Sequence, residues 1–215
     1  MPDARAAILD SIRASLSVDS GPVHGSAADY GVLPRTYIRT GKLDSEARLD
    51  LFLERLRDYD THVVETSADS LPQTIASVLR QHDQKNVIAA DGLPPEILPG
   101  DFAFIPEHAA GLDELNACDG VVTVCAVAIA FTGSIVLTHG PGEGARRLTL
   151  VPDRHLCVVR ADQVVETVPE AFDRLLPRAT HPLTFISGPS ATADIEMTRI
   201  RGVHGPRFLS VVLVR

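Results

Sequence analysis

Two carboxylates and a histidine stand close together near the end of this chain, a combination that can move a proton. Asp194 and Glu196 lie within residues 191–200, and His204 sits between glycines in Gly202-Val203-His204-Gly205-Pro206. An imidazole there can act as acid, base or metal ligand, and flanking glycines let backbone approach a bound molecule closely. The structural alternative, a loop histidine bonded to a backbone carbonyl, has equal weight. Upstream, Gly188-Pro189-Ser190 places Ser190 as the N-cap of a helix read over 191–200, where exposed N–H groups can hold a carboxylate or phosphate. Asp194 and Glu196 would then fall in the first turns, where complementing the helix dipole is worth roughly 0.3–1 kcal/mol each and suffices to explain them.

Two further segments carry polar groups. Phe131-Thr132-Gly133-Ser134 reads as a hairpin tip, with hydroxyls and N–H groups of Thr132, Gly133 and Ser134 facing a pocket or forming a plain turn. Residues 141–152, PGEGARRLTLVP, join a mobile backbone at Gly142 and Gly144 to Arg146 and Arg147, which can grip an anion. They fit neither the Gly-Lys-Ser/Thr phosphate loop nor Gly-x-Gly-x-x-Gly. His139 can join that site. No Ser-His-Asp set follows from spacing, His-Glu-x-x-His is absent, and the other histidines, His155 among them, read as structural or solvated. Cys118, Cys125 and Cys157 form no Cys-x-x-Cys pair. We therefore expect no iron–sulfur cluster held by this chain, assign no metal ligands, and read the thiols as small buried hydrophobes.

The elements that must position these residues alternate. Helices are predicted over 4–16, 46–59, 71–82, 112–118, 169–177 and 191–200, and strands over 62–66, 86–90, 155–160, 182–188 and 208–214, from apolar spacings of 3.6 and of continuous runs. The most apolar stretch, 120–139, reads as a hairpin turning at Thr132-Gly133. Such alternation predicts an α/β domain whose mixed, mostly parallel sheet is covered on both faces. We place that domain at 46–215, after an N-terminal helix and flexible linker at 1–45.

Of 215 residues, 45% are hydrophobic but only 5% aromatic, with no Trp, so the core must be aliphatic. A net charge of −8 and a pI near 5.4 argue against a nucleic-acid partner and suit a cytoplasmic protein. No segment is apolar over the roughly 18–20 residues of a membrane span, and the N-terminus lacks a secretion signal.

Together the segments ISGPSATADIEMTRIRGVHGPRFLSVVLV and AVAIAFTGSIVLTHGPGEGARRLTLVP, with the N-terminal layout of helix, loop and Pro-Arg, resemble the LUD-domain family, and within it the lactate utilisation protein C (LutC/YkgG) group. The resemblance implies a three-layer fold like that of CoA transferases and ribose-5-phosphate isomerase (NagB/RpiA/CoA transferase-like). It implies a non-cluster subunit of a system that oxidises L-lactate to pyruvate with iron–sulfur partner proteins. The family's chemistry is poorly defined, so whether the chain is catalytic by itself stays open, as do its cofactors and a homo-oligomeric state. On this reading His204 transfers a proton, Asp194 and Glu196 polarise the ligand, and Thr132, Gly133, Ser134, Gly188, Ser190, Gly202, Gly205 and Arg146 bind it. Phe131 stands where the family usually has glutamate. The rival readings are an assembly module without chemistry and a stand-alone enzyme on a CoA, sugar-phosphate or folate-type substrate.

Overall fold

A computed structural model describes residues 4–17, 32, 36–178, 180–192, 200–201 and 205–215. The chain divides into two units, Met1–Tyr37 and Ile38–Arg215. In the first, helix α1 (Ala4–Ser17) carries Ile8, Ile12 and Leu16 at i, i+4 and i+8, one face of a helix; all three are exposed.

The second unit begins with α2 (Ser45–Asp58), capped by Asp44, whose side chain accepts from Ala47 N. Then follow β1 (His62–Thr66), α3 (Leu71–Gln81), β2 (Val87–Ala89), β3 (Phe104–Pro106), α4 (Leu112–Ala117) and β4 (Gly120–Val124). The hairpin strands β5 (Val127–Ile129) and β6 (Ser134–Leu137) precede β7 (Arg154–Arg160), β8 (Val164–Val165), α5 (Val168–Leu175) and β9 (Thr184–Ile186). The chain closes with β10 (Ala191–Thr192), β11 (Ile200–Arg201) and β12 (Phe208–Val214).

Six strands form an all-parallel central sheet in the order β1-β12-β7-β4-β2-β3. Its middle strands are apolar on both faces, as parallel strands between two layers must be. Along β12, Val212 and Val214 pack with Ile75, Val78 and Leu79 of α3. Leu209, Val211 and Leu213 point the other way, onto Phe52, Leu53 and Leu56 of α2 and Ile135 and Leu137 of the hairpin. β7 divides likewise, Leu156 and Val158 one way and Cys157 and Val159 the other. The hairpin does not widen the central sheet. It builds a second, four-stranded sheet, β8-β5-β6-β9, whose far face is covered by Ala171 and Leu175 of α5. The result is a three-layer α/β fold with a mostly parallel sheet.

The helix predicted over 191–200 is not borne out at its two ends. Ala191–Thr192 and Ile200–Arg201 pair as an antiparallel ribbon, so residues 191–200 neither begin nor end as a helix. Ser190 is consequently no N-cap; its N–H donates instead to the Pro206 carbonyl at 2.8 Å. Thr192 and Ile200 are β-branched and favour extended backbone over helix.

Residues 39–43 are tied to the start of α5. Gly41 N donates to Glu170 Oε1 at 2.9 Å, Leu43 N to Glu166 Oε2 at 2.7 Å, and Thr167 Oγ1 to the Arg39 carbonyl at 3.0 Å. Glu170 also closes a capping box with Thr167. Its partial burial raises the carboxyl pKa, but the N–H groups of Gly41, Thr167 and Glu166 outweigh that and hold it below the usual value. A depressed carboxyl stabilises the fold above its unfolded pKa and loses that contribution as pH falls through the folded one. Glu170→Gln should therefore cost about 1–2 kcal/mol at pH 7. Chemical denaturation at pH 7 and at pH 3 should show the gap to wild type shrinking at the lower pH.

Candidate functional site

At the amino ends of β7 and β12, between the two sheets, the chain encloses a cavity of about 230 Å³. Its wall is made of Thr184, Ser187, Gly188 and Ser190 from β9 and the turn after it, of Gly205 and Pro206, and of Arg146, Thr149, His155 and Leu209. Four residues singled out from sequence, Arg146, Gly188, Ser190 and Gly205, thus meet around one space. His204, Asp194, Glu196 and Gly202 lie outside the described residues.

Thr132, Gly133 and Ser134 do not reach the cavity. Gly133 adopts φ +58°, and a Cβ there would stand 2.7 Å from Arg55 Cβ and 3.0 Å from its backbone carbon. The tip is pressed against α2, and glycine serves close approach and a left-handed backbone. Ser134, buried on β6, touches the wall only through Ser187, with its Oγ 2.6 Å from Ser187 Oγ and 2.8 Å from Thr132 Oγ1. Phe131 is 63% exposed and lines nothing.

The glycine loop is fixed. Glu143, 3% exposed, accepts from Thr138 N, Thr138 Oγ1 and, at 2.8 Å, Arg178 Nη1. Glu107 accepts from Asp91 N and Ala145 N. His139, itself at φ +58°, bridges the Gly144 carbonyl through Nδ1 and Thr184 Oγ1 through Nε2, each at 2.8 Å. Gly142 and Gly144 are left-handed turns, φ +79° and +72°, packed into this network rather than hinges. The loop therefore delivers a 3-10 turn, Arg146–Thr149, to the cavity mouth. Arg146 Nη1 donates to Thr149 Oγ1 at 2.7 Å and to its carbonyl at 3.1 Å. Among the described residues, its Nε and Nη2 donors have no protein partner, and a guanidinium so held can take a carboxylate.

The sequence reading passed over His155. It is 1% exposed and sits at the start of β7 in the register of Cys157 and Val159, facing the second sheet. Its Nε2 lies 2.7 Å from Thr123 Oγ1, and its Nδ1 has no partner among the described residues. Burial lowers the imidazole to about 4, so the ring is neutral at pH 7. The signal was there: one polar residue at an inward position of an otherwise apolar strand. Cys125 and Cys157 are buried as the sequence reading has them, whereas Cys118 is half-buried. The neighbouring Cys157 and burial push Cys125 well up, and burial raises Cys118.

A larger cleft of about 950 Å³ lies at the opposite, carboxyl ends of the parallel strands, where open α/β sheets commonly bind ligands. None of the candidate site residues lines it, although Pro141, which opens the glycine loop, does. Among the described residues its two arginines each meet a carboxylate, Arg160 with Asp162 and Arg215 with Glu65. Among the described residues no cluster of three or more His, Cys, Asp or Glu could hold a metal, and no helix is long and apolar enough to cross a membrane.

A family model described as the LUD domain matches residues 49–214. A protein of Deinococcus radiodurans named "Lactate utilization protein C" is 43% identical over 169 residues, 77% of this chain and 79% of that one. Another of the same name from Macrococcus caseolyticus is 27% identical, covering 90% of this chain and 88% of its own. The crystal structure of a DUF162 family protein from Deinococcus radiodurans superposes with a TM-score of 0.71 at 35% identity, over 81% of this chain and all of that one.

Gly133→Ala should lower stability by about 1–3 kcal/mol, through the strained φ and the clash with α2. Ligand affinity at the cavity should stay unchanged, as denaturation and calorimetric titration of the same protein will report.

Proposed function

The chain belongs to the LUD-domain family, and from that premise we propose that it serves lactate utilisation as the non-iron–sulfur subunit of a system oxidising L-lactate to pyruvate. The two electrons would pass to iron–sulfur partner proteins, since we assign this chain no cluster. The observation that supports the reading is Arg146, with two donors that meet no partner among the described residues, at the mouth of a small polar cavity. At about 230 Å³ the space falls below the roughly 300–1,000 Å³ of drug-sized sites, and it suits a three-carbon acid. Arg146 would take the carboxylate, while Ser190, Gly188 and Gly205 shape the wall. We assign proton transfer to His204, the neighbour of Gly205 in sequence, with Asp194 and Glu196 polarising the ligand and Gly202 giving the loop close approach. We place the protein in the cytoplasm.

Arg146→Ala should weaken binding of L-lactate and pyruvate about 10–100-fold, the loss of a charge-assisted pair, with stability close to wild type. Isothermal titration measures it; unchanged affinity removes the carboxylate assignment. His204→Ala should leave that affinity within a few-fold but stop lactate oxidation by the assembled system.

A second role, assembly, has its own observation. Helix α1 exposes Ile8, Ile12 and Leu16 on one face, at 61%, 50% and 73%, a stripe suited to a groove on another protein. Deleting residues 1–37, which leaves the ties at 39–43 in place, should abolish co-purification with the iron–sulfur subunits. Intact co-purification would sink this role.

A further inference from the structure

One residue of the cavity wall, His155, is buried with only half of its ring polar groups met among the described residues. His155 is a wall residue, 1% exposed, and among the described residues its Nδ1 meets no protein group. Among the same residues its Nε2 has one partner, Thr123 Oγ1 at 2.7 Å, and Thr123 is fully buried with no other hydrogen bond. Two arrangements of protons are open to a neutral ring. If Nε2–H donated to Thr123, the threonine O–H and the Nδ1 lone pair would both be left unmet. If the Thr123 hydroxyl donates to Nε2, the ring proton sits on Nδ1, and one group alone lacks a partner. Buried polar groups are satisfied wherever geometry allows, so the second arrangement holds. The tautomer is thus fixed by the neighbour of the other ring nitrogen.

Resting on the reading of this cavity as a carboxylate site, we propose that His155 presents a neutral Nδ1–H donor to an oxygen on the second carbon of the ligand, so that the site prefers 2-oxo and 2-hydroxy acids over plain carboxylic acids. Arg146 takes the carboxylate and His155 the oxo or hydroxyl oxygen, both as acceptors. An acid lacking that oxygen leaves the Nδ1–H buried and unpaired, which is how sites built around a hydrogen bond reject the analogue without it. Nδ1 exposes less than 1 Å², so the oxygen that reaches it displaces part of the wall. His155 acts here as a specificity residue; no proton leaves the ring.

The probes are pyruvate, L-lactate and propionate, titrated calorimetrically into the full chain. Wild type should bind pyruvate and L-lactate at least about tenfold tighter than propionate. His155→Phe should bring that ratio near one while leaving propionate affinity within about twofold; Arg146→Ala should weaken all three. A second measurement needs no variant. In protein labelled with ¹⁵N-histidine, the His155 ring should show the proton on Nδ1, with a signal that moves on adding pyruvate and not on adding propionate. A proton on Nε2, a wild-type ratio near one, or a ratio that survives in folded His155→Phe each overturns the inference while leaving the carboxylate site standing. Failure of all three acids to bind wild type overturns the carboxylate reading and this inference with it.

Discussion

Everything in this fold follows from strands that are apolar on both faces. β7 and β12 at the middle of the sheet alternate Leu156, Val158 and Val212 to one side with Cys157, Val159 and Val211 to the other. Burying a side chain of this size is worth roughly 1.5–3 kcal/mol, so neither face can be left to water. Helix α3 covers one; α2 and the hairpin cover the other. The hairpin cannot do this as an extension of the central sheet, because strands added at an edge cover no face. It must stand off as a separate layer, and the space between the two layers at the amino ends of β7 and β12 becomes the cavity.

The second constraint is a buried charge. Glu143 at 3% exposure would be costly without partners. It has Arg178, both donors of Thr138, and through them the whole of the glycine loop. Fixing that loop fixes the turn at Arg146–Thr149, and so sets where a positive charge meets the cavity. His139 ties the same loop to Thr184 of the wall. Loop and wall are therefore one hydrogen-bonded body, and the left-handed backbone at His139, Gly142 and Gly144 belongs to its geometry rather than to motion.

Much of the fold was legible in the sequence because period and composition are local. The spans 62–66 and 208–214 were read to the residue, since short continuous aliphatic runs bounded by turn residues have few other readings. Helices at 46–59 and 71–82 came within a residue of Ser45–Asp58 and Leu71–Gln81. The failure at 191–200 shows the limit. Acidic residues after Ser190 imitate a capped helix, but the ends of that segment pair with each other across the sequence, and nothing local announces a pairing partner.

The site divides along the same line. Sequence alone determined which residues were polar, glycine-rich and near strand ends, and so brought forward Arg146, Gly188, Ser190 and Gly205, which the structure gathers around one cavity. It also determined the family, through motifs carried in order along the chain. Only the tertiary structure decided that Gly133 serves packing against α2, that the glycine loop is tied down by a buried carboxylate, and that His155 belongs to the wall. The physical reason is distance along the chain. Thr123 and His155 stand 32 residues apart, and His139 and Thr184 stand 45 apart. Side chains so far apart in sequence acquire a common role only when the layers close over them.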